Sequence, residues 1–180
     1  LVNSTKIPLI ATNKLQSENG FFPGSEIERQ QILFAAAKNG FSYVDVDYQS
    51  PLRNETVKTL RDLNTKPIVS YHNFNGIISV SEMEKILNEQ ITIGAHICKI
   101  VLTANQIEDN LSVLSFVSFA STKANLVCFC IGKNGKISRI LSPALGGFFT
   151  FASLESGSET ANGQMSIKDM KTAYNLLGIK

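Results

Sequence analysis

Little in this chain serves metal, disulfide or electron-transfer chemistry. There are two histidines, His72 and His96, and three cysteines, Cys98, Cys128 and Cys130, none at zinc-ligand or CxxC spacing. All three cysteines lie in apolar runs, which reads as reduced core thiols in a cytoplasmic protein. Charge of one sign is also scarce. The 17 basic and 15 acidic residues are interspersed for a net +2, leaving no basic stripe for nucleic acid and no acidic tail. No apolar run approaches the roughly 18 to 20 residues that cross a bilayer, and the N-terminus lacks the charged-then-apolar pattern of a signal peptide. The expectation is no metal, no cofactor, no nucleic-acid partner and no membrane. What the chain does have is apolar content, 43% over 180 residues, which suits one domain spanning 1–180 with a sizeable core.

Strand and helix patterns alternate along the chain. Strands are expected at residues 7–12, 42–47, 66–72, 97–102, 125–130 and 148–152. Ser25 with Glu28 forms a capping box for a helix to Lys38, ended by Asn39-Gly40, and Pro51 starts the next. Ser79 or Ser81 caps a third. Asn105 is expected to cap a fourth to Ala120, with Ile107, Leu111, Leu114 and Val117 on its apolar face. Further helices follow at 136–145 and 166–177, the last after a polar loop at 155–164. Such βα alternation implies a parallel sheet with helices outside it.

The most informative stretch is Ile97-Cys98-Lys99-Ile100-Val101-Leu102, a strand apolar on both faces that carries one lysine. A lysine there loses hydration, which disfavours its charged form, and a neutral amine attacks carbonyl carbon to form a Schiff base. The bland reading is a stem that snorkels its ammonium to water. Asp47, His72 and Lys99 lie on successive strands, 25 and 27 residues apart, about one βα unit each. In a (β/α) barrel, catalytic groups come from the C-terminal ends of several strands. Asp45 and Asp47 on one strand face are unusual, and a buried cation such as Lys99 or Arg139 is the expected partner. Lys14 and Lys123 are placed outside the apolar interior.

Several segments together resemble the type I 3-dehydroquinate dehydratases. They are Tyr43-Val44-Asp45-Val46-Asp47, Val69-Ser70-Tyr71-His72-Asn73-Phe74, Lys99-Ile100-Val101, Gly135-Lys136-Ile137-Ser138-Arg139, and Phe149-Thr150-Phe151 followed by Gly163-Gln164-Met165-Ser166. The resemblance covers nearly the whole chain. It implies a lyase on an eight-stranded (β/α)8 TIM-type barrel, with the first two strands, one bearing a Glu-x-Arg pattern, absent from this chain. It implies Lys99 as the imine-forming lysine, His72 as proton carrier and Glu18 as the carboxylate that supports the histidine. Arg139 and Gln164 match the carboxylate-binding arginine and the lid glutamine, Thr160 falls near a family serine, and Lys14 and Asp47 are the remaining substrate-binding positions. At Lys14 the family usually has arginine, so the charge is kept and the bidentate fork is lost.

The implied reaction removes water from 3-dehydroquinate to give 3-dehydroshikimate, in the shikimate pathway of aromatic amino-acid biosynthesis. The expected partners are that small-molecule substrate and a second copy of the chain in a homodimer. Two alternatives stay open: another Schiff-base aldolase or transaldolase on a TIM barrel, and a catalytically dead barrel fragment acting as a binding module.

Overall fold

Parallel pairing in register brings the first strands together in the computed structural model, which describes Val2 and residues 5–179. The elements run β1 (Ile10–Thr12), α1 (Glu26–Lys38), β2 (Tyr43–Asp47), α2 (Arg53–Asp62), β3 (Lys66–Asn73), α3 (Val80–Ile93), β4 (Ile97–Thr103), α4 (Asp109–Ala120), β5 (Leu126–Ile131), α5 (Lys136–Ala144) and α6 (Ile167–Leu177). The strands follow the order β1-β2-β3-β4-β5, so each new strand joins beside the one before it. Thr12 lies opposite Asp45, Asp45 opposite Ile68, and Asp47 opposite Ser70. This is the α/β class with a parallel sheet that the alternation predicts.

The helix starts follow local capping chemistry. The Ser25 hydroxyl accepts from the Glu28 N–H (3.3 Å) while the Glu28 carboxylate accepts from the Ser25 N–H (2.7 Å). Ser79 and Glu82 repeat the arrangement ahead of α3, so Ser79 rather than Ser81 is the cap. Ser166 caps α6 by accepting from the Asp169 N–H. Helix α4 starts later than expected. The Asp109 carboxylate collects the Asn105 and Gln106 N–H groups, and the Asn105 side chain donates instead to the Asn75 carbonyl.

The chain forms two compact units. The first comprises residues up to Tyr71 with Asn88–Cys98, and the second comprises His72–Leu87 with Lys99 onward. In the first, Leu33 and Ala37 of α1, Val57 and Leu60 of α2, and Val44, Val46 and Val69 of the strands form one apolar cluster. In the second, α4 and α5 both pack on β5, and Val113, Phe116 and Val117 are sealed from solvent with Val127 and Phe129. The α4 face therefore differs from the expected one: Leu114 and Val117 are buried, but Ile107 and Leu111 are 55% and 69% exposed.

The strand expected at 148–152 is not made. The Phe148 N–H reaches the Leu126 carbonyl (2.7 Å), but no ladder follows it, and the only nearby strand-type pairing is the isolated bridge of Ser153 with Ser166. Phe148, Phe149 and Phe151 instead pack ring to ring, and Phe151 meets Phe129. Strand β1 is also shorter than the 7–12 expected, consistent with Pro8, which has no N–H to give a ladder.

Phe116, fully buried and set edge-on to Phe119 at 5.5 Å, tests this core. Phe116→Ala is expected to lower the unfolding free energy by about 3–5 kcal/mol. The measurement is the urea midpoint at unchanged m-value. A loss below about 1 kcal/mol would show the site to be loosely packed.

Candidate active site

In the first unit the register of β2 and β3 creates an electrostatic problem that the loop after β1 solves. Asp45 and Asp47 point to one face of β2 and are both buried. Lys14 follows β1 by two residues. Its Nζ lies 3.3 Å from Asp45, donates to Asp47 (2.9 Å), and donates to the Ser70 hydroxyl (2.8 Å) on β3. The Ser70 hydroxyl in turn donates to Asp45 (2.6 Å). The other Asp47 oxygen accepts the Gln49 N–H. A cation partner for the two acids was expected from Lys99 or Arg139; within this unit Lys14 supplies it. Lys14 was also placed outside the interior, whereas its side chain is only 17% exposed.

Glu18 sits in a single 3-10 turn, Gln16–Glu18. Its carboxylate accepts from Arg29 at 2.5 Å and from the Leu15 N–H at 3.4 Å. Arg29 is buried in α1 and also grips Glu26, which accepts the Ser50 hydroxyl. Burial and the Asp47 charge push the Glu18 carboxyl above the usual range, against the pull of Arg29 and Lys14. Arg29 and Ser70 were not singled out in the sequence, although Glu26 and Arg29 at helical i,i+3 spacing are a readable pair.

The second unit holds Lys99, His72, Arg139, Thr160 and Gln164. Lys99 is 9% exposed within β4, where every residue from Ile97 to Leu102 is buried, as the strand pattern predicts. Its Nζ lies 4.8 Å from the centre of the Phe151 ring. His72, near the end of β3, stacks nearly parallel on Phe74 with centroids 5.9 Å apart.

Arg139 is held by the way α5 begins. The Ser138 hydroxyl accepts the Cys130 N–H (2.8 Å) and donates to the Gly135 carbonyl (3.0 Å), and the Ser138 N–H donates to Asn110 of α4. The next side chain is thereby laid over Phe129, with the guanidinium carbon 4.4 Å from the ring centre. Arg139 is 1% exposed, its Nε has no hydrogen-bond partner, and among the described residues no carboxylate pairs with it. Burial pushes its pKa down to about 10, so it is still a cation at neutral pH. A buried guanidinium without an anion is costly unless an anion arrives.

Gln164 lies in a loop pinned at its base, where the Ser153 N–H donates to Met165 and the Ile167 N–H to Ser153. Its side-chain oxygen accepts from the Thr160 N–H (2.8 Å) and hydroxyl (3.3 Å), so these two expected site residues hold each other. The Gly132 N–H donates to the Asn162 carbonyl, tying the loop to the end of β5. Gly163 has φ of 76° and packs on the Gly132 carbonyl so closely that a Cβ would overlap it. Phe129 and Phe151, the aromatic floors of Arg139 and Lys99, were missed as site residues because apolar strand residues look like core. The three cysteines are free and buried, with burial pushing Cys98 up to about 12 and Cys130 up to about 11, as expected of inert core thiols. Among the described residues no group of three or more His, Cys, Asp or Glu side chains could hold a metal, and no helix is long and apolar enough to cross a membrane.

Comparison with known proteins gives a consistent result. The family model described as Type I 3-dehydroquinase matches residues 1–180. A 3-dehydroquinate dehydratase from Dehalococcoides mccartyi is 36% identical over 167 residues, covering 93% of this chain and 74% of its own length. One from Methanococcus maripaludis is 32% identical over 176 residues, covering 97% and 79%. Among solved structures, the 3-dehydroquinate dehydratase of Geobacillus kaustophilus superposes with a TM-score of 0.88 at 24% identity, covering 96% of this chain and 68% of that one, a likeness of fold.

The Lys14 cluster predicts a pH dependence. Burial alone would lower the Lys14 pKa, but Asp45 and Asp47 outweigh it and hold it above the usual lysine value. A pKa raised by folding adds stability in full below the unfolded value of about 10.4, and that stability is lost as pH rises through the folded value. Lys14→Met should cost about 3–5 kcal/mol at neutral pH by leaving two buried carboxylates without their cation. In urea titrations the gap between parent and variant should narrow as the alkaline range is entered. A gap that stays constant there would show that Lys14 is not the group that titrates.

Proposed function

Because the chain belongs to the type I 3-dehydroquinase family and is a hydro-lyase of 3-dehydroquinate dehydratase type, we propose that it works through an imine on Lys99. The observation that carries this reading is the amine itself, held in a strand otherwise apolar on both faces. The Lys99 amine adds to the C3 ketone of 3-dehydroquinate and water leaves, giving a protonated imine. That imine is an electron sink, so the neighbouring C2 proton becomes acidic enough for His72 to remove. The C1 hydroxyl then departs as water, taking a proton from His72. Hydrolysis of the imine frees 3-dehydroshikimate and the lysine.

Arg139 suits the substrate carboxylate, since it is a desolvated fork with no carboxylate paired to it among the described residues. Gln164, held by Thr160, is assigned to the loop that closes over the substrate. The family pattern gives Glu18 the support of the histidine's charged form, and Arg29 fixes that carboxylate in its own unit. Lys14 has its three N–H groups facing Asp45, Asp47 and Ser70, so it and Asp47 would meet substrate hydroxyls only by exchanging one of these bonds. We place the reaction in the shikimate pathway, in the cytoplasm, in a homodimer.

Two measurements test the assignment. Incubation with 3-dehydroquinate and borohydride should inactivate the protein and add one ligand-sized mass to the peptide holding Lys99, neither reagent doing so alone. Lys99→Met should abolish both labelling and turnover while sparing the core. Labelling at another lysine, or full activity in Lys99→Met, would overturn the imine mechanism. His72→Ala should lose about 10²- to 10⁴-fold in turnover yet still form some covalent adduct. More than half the parent rate in that variant would remove His72 from the proton transfers.

A further inference from the structure

In the first unit, a groove of about 460 Å³ opens at the N-terminal ends of β3 and β4, the end of these strands opposite Ser70. Arg61, Asn64, Lys66, Gly94 and His96 line it, at the C-terminal ends of α2 and α3. Of the nine residues around the groove three are basic, and no Asp or Glu lines it.

Basic residues at helix C-termini often serve as caps. Here the backbone has already done that work. The Arg61 carbonyl accepts the Asn64 N–H (2.9 Å), Leu60 the Thr65 N–H (2.9 Å), Ile91 the Gly94 N–H (3.0 Å) and Gln90 the Ala95 N–H (3.0 Å). Nor are Arg61 and Lys66 neutralised by acids: among the described residues no carboxylate pairs with either, and the acid next in sequence, Asp62, is engaged by Lys58 at 2.8 Å.

Their placement is specific. Gly94 has φ of 96°, and a Cβ there would lie 2.5 Å from the Arg61 guanidinium, so the absent side chain leaves room for that group across the α3 terminus. Tyr43 is a common platform, with Lys66 Nζ 5.5 Å and the His96 ring 6.0 Å from its ring centre. The His96 backbone is fixed by its N–H on the Pro67 carbonyl (2.9 Å). Burial and the Lys66 charge hold the His96 pKa below the usual value.

We propose that this groove is an anion-binding site, separate from the lysine site, that takes the phosphate group of a small phosphorylated molecule. A guanidinium from α2, an ammonium from β3 and an imidazole from the turn before β4, set around one groove, suit a tetrahedral oxyanion with several oxygens. A planar carboxylate would need the arginine alone. The proposal does not depend on Lys99 chemistry.

The test uses the fact that the chain has only two histidines. Inorganic phosphate is titrated into the intact protein at constant ionic strength, with imidazole carbon-bound proton resonances followed by NMR and assigned through His96→Gln. The His96 signals should move saturably. Arg61→Gln and Lys66→Gln, both at exposed positions, should each weaken that response about tenfold, the loss of one charge-assisted contact. Lys38→Gln, at an exposed position of the same unit outside the groove, should leave it unchanged. His96 signals that stay fixed or drift without saturation would overturn the proposal, and so would movement confined to His72. Affinity unchanged from the parent in both groove variants would overturn it too.

Discussion

Two carboxylates on one face of a buried parallel strand cannot remain charged without a cation, and much of the first unit follows from where that cation comes from. Asp45 and Asp47 are two residues apart on β2, so the pleat aims both the same way. The register sets Thr12 beside Asp45, and the chain leaving β1 therefore delivers residue 14 to the acids. Ser70, opposite Asp47 on the next strand, supplies the third acceptor and returns its proton to Asp45. Loop, strand pairing and charge balance are one constraint. Removing Lys14 leaves buried carboxylates without their cation, which typically costs about 3–5 kcal/mol.

The second unit treats Arg139 differently. Its guanidinium lies over the face of Phe129. An aromatic face stabilises a cation by roughly 0.5–2 kcal/mol, less than a carboxylate does in a dry interior, and it does not neutralise it. Arg139 so placed keeps an Nε that has no hydrogen-bond partner. The two units thus show a filled and an open form of one electrostatic problem.

Much of this was legible in the sequence. Capping pairs such as Ser25 with Glu28 are local, so they could be read directly, and a lone lysine in an apolar run marks itself. What failed depends on partners far along the chain. The apolar run at 148–152 has strand composition, but composition does not show whether a ladder forms, and its phenylalanines pair with one another. Helix α4 is apolar on several faces, so the periodic set Ile107, Leu111, Leu114 and Val117 was one of several choices. Ile107 in fact precedes the helix, which Asp109 starts late. Lys14 was misplaced for the same reason: nothing near it in sequence reveals two acids more than thirty residues on.

The lysine at position 14, where the sequence resemblance would lead one to expect arginine, fits the geometry found. An ammonium offers three donors in a compact tetrahedral head, and its three acceptors, Asp45, Asp47 and Ser70, come from two adjacent strands and converge on one point. A guanidinium spreads its donors over a planar fork and would bind one carboxylate in bidentate fashion while projecting further. Lysine therefore serves here as a compact local counter-ion. Arg139 is the opposite case, a buried guanidinium with no carboxylate paired to it among the described residues. The two buried cations are thus held in different ways: Lys14 balances the acids of β2, and Arg139 rests on an aromatic ring.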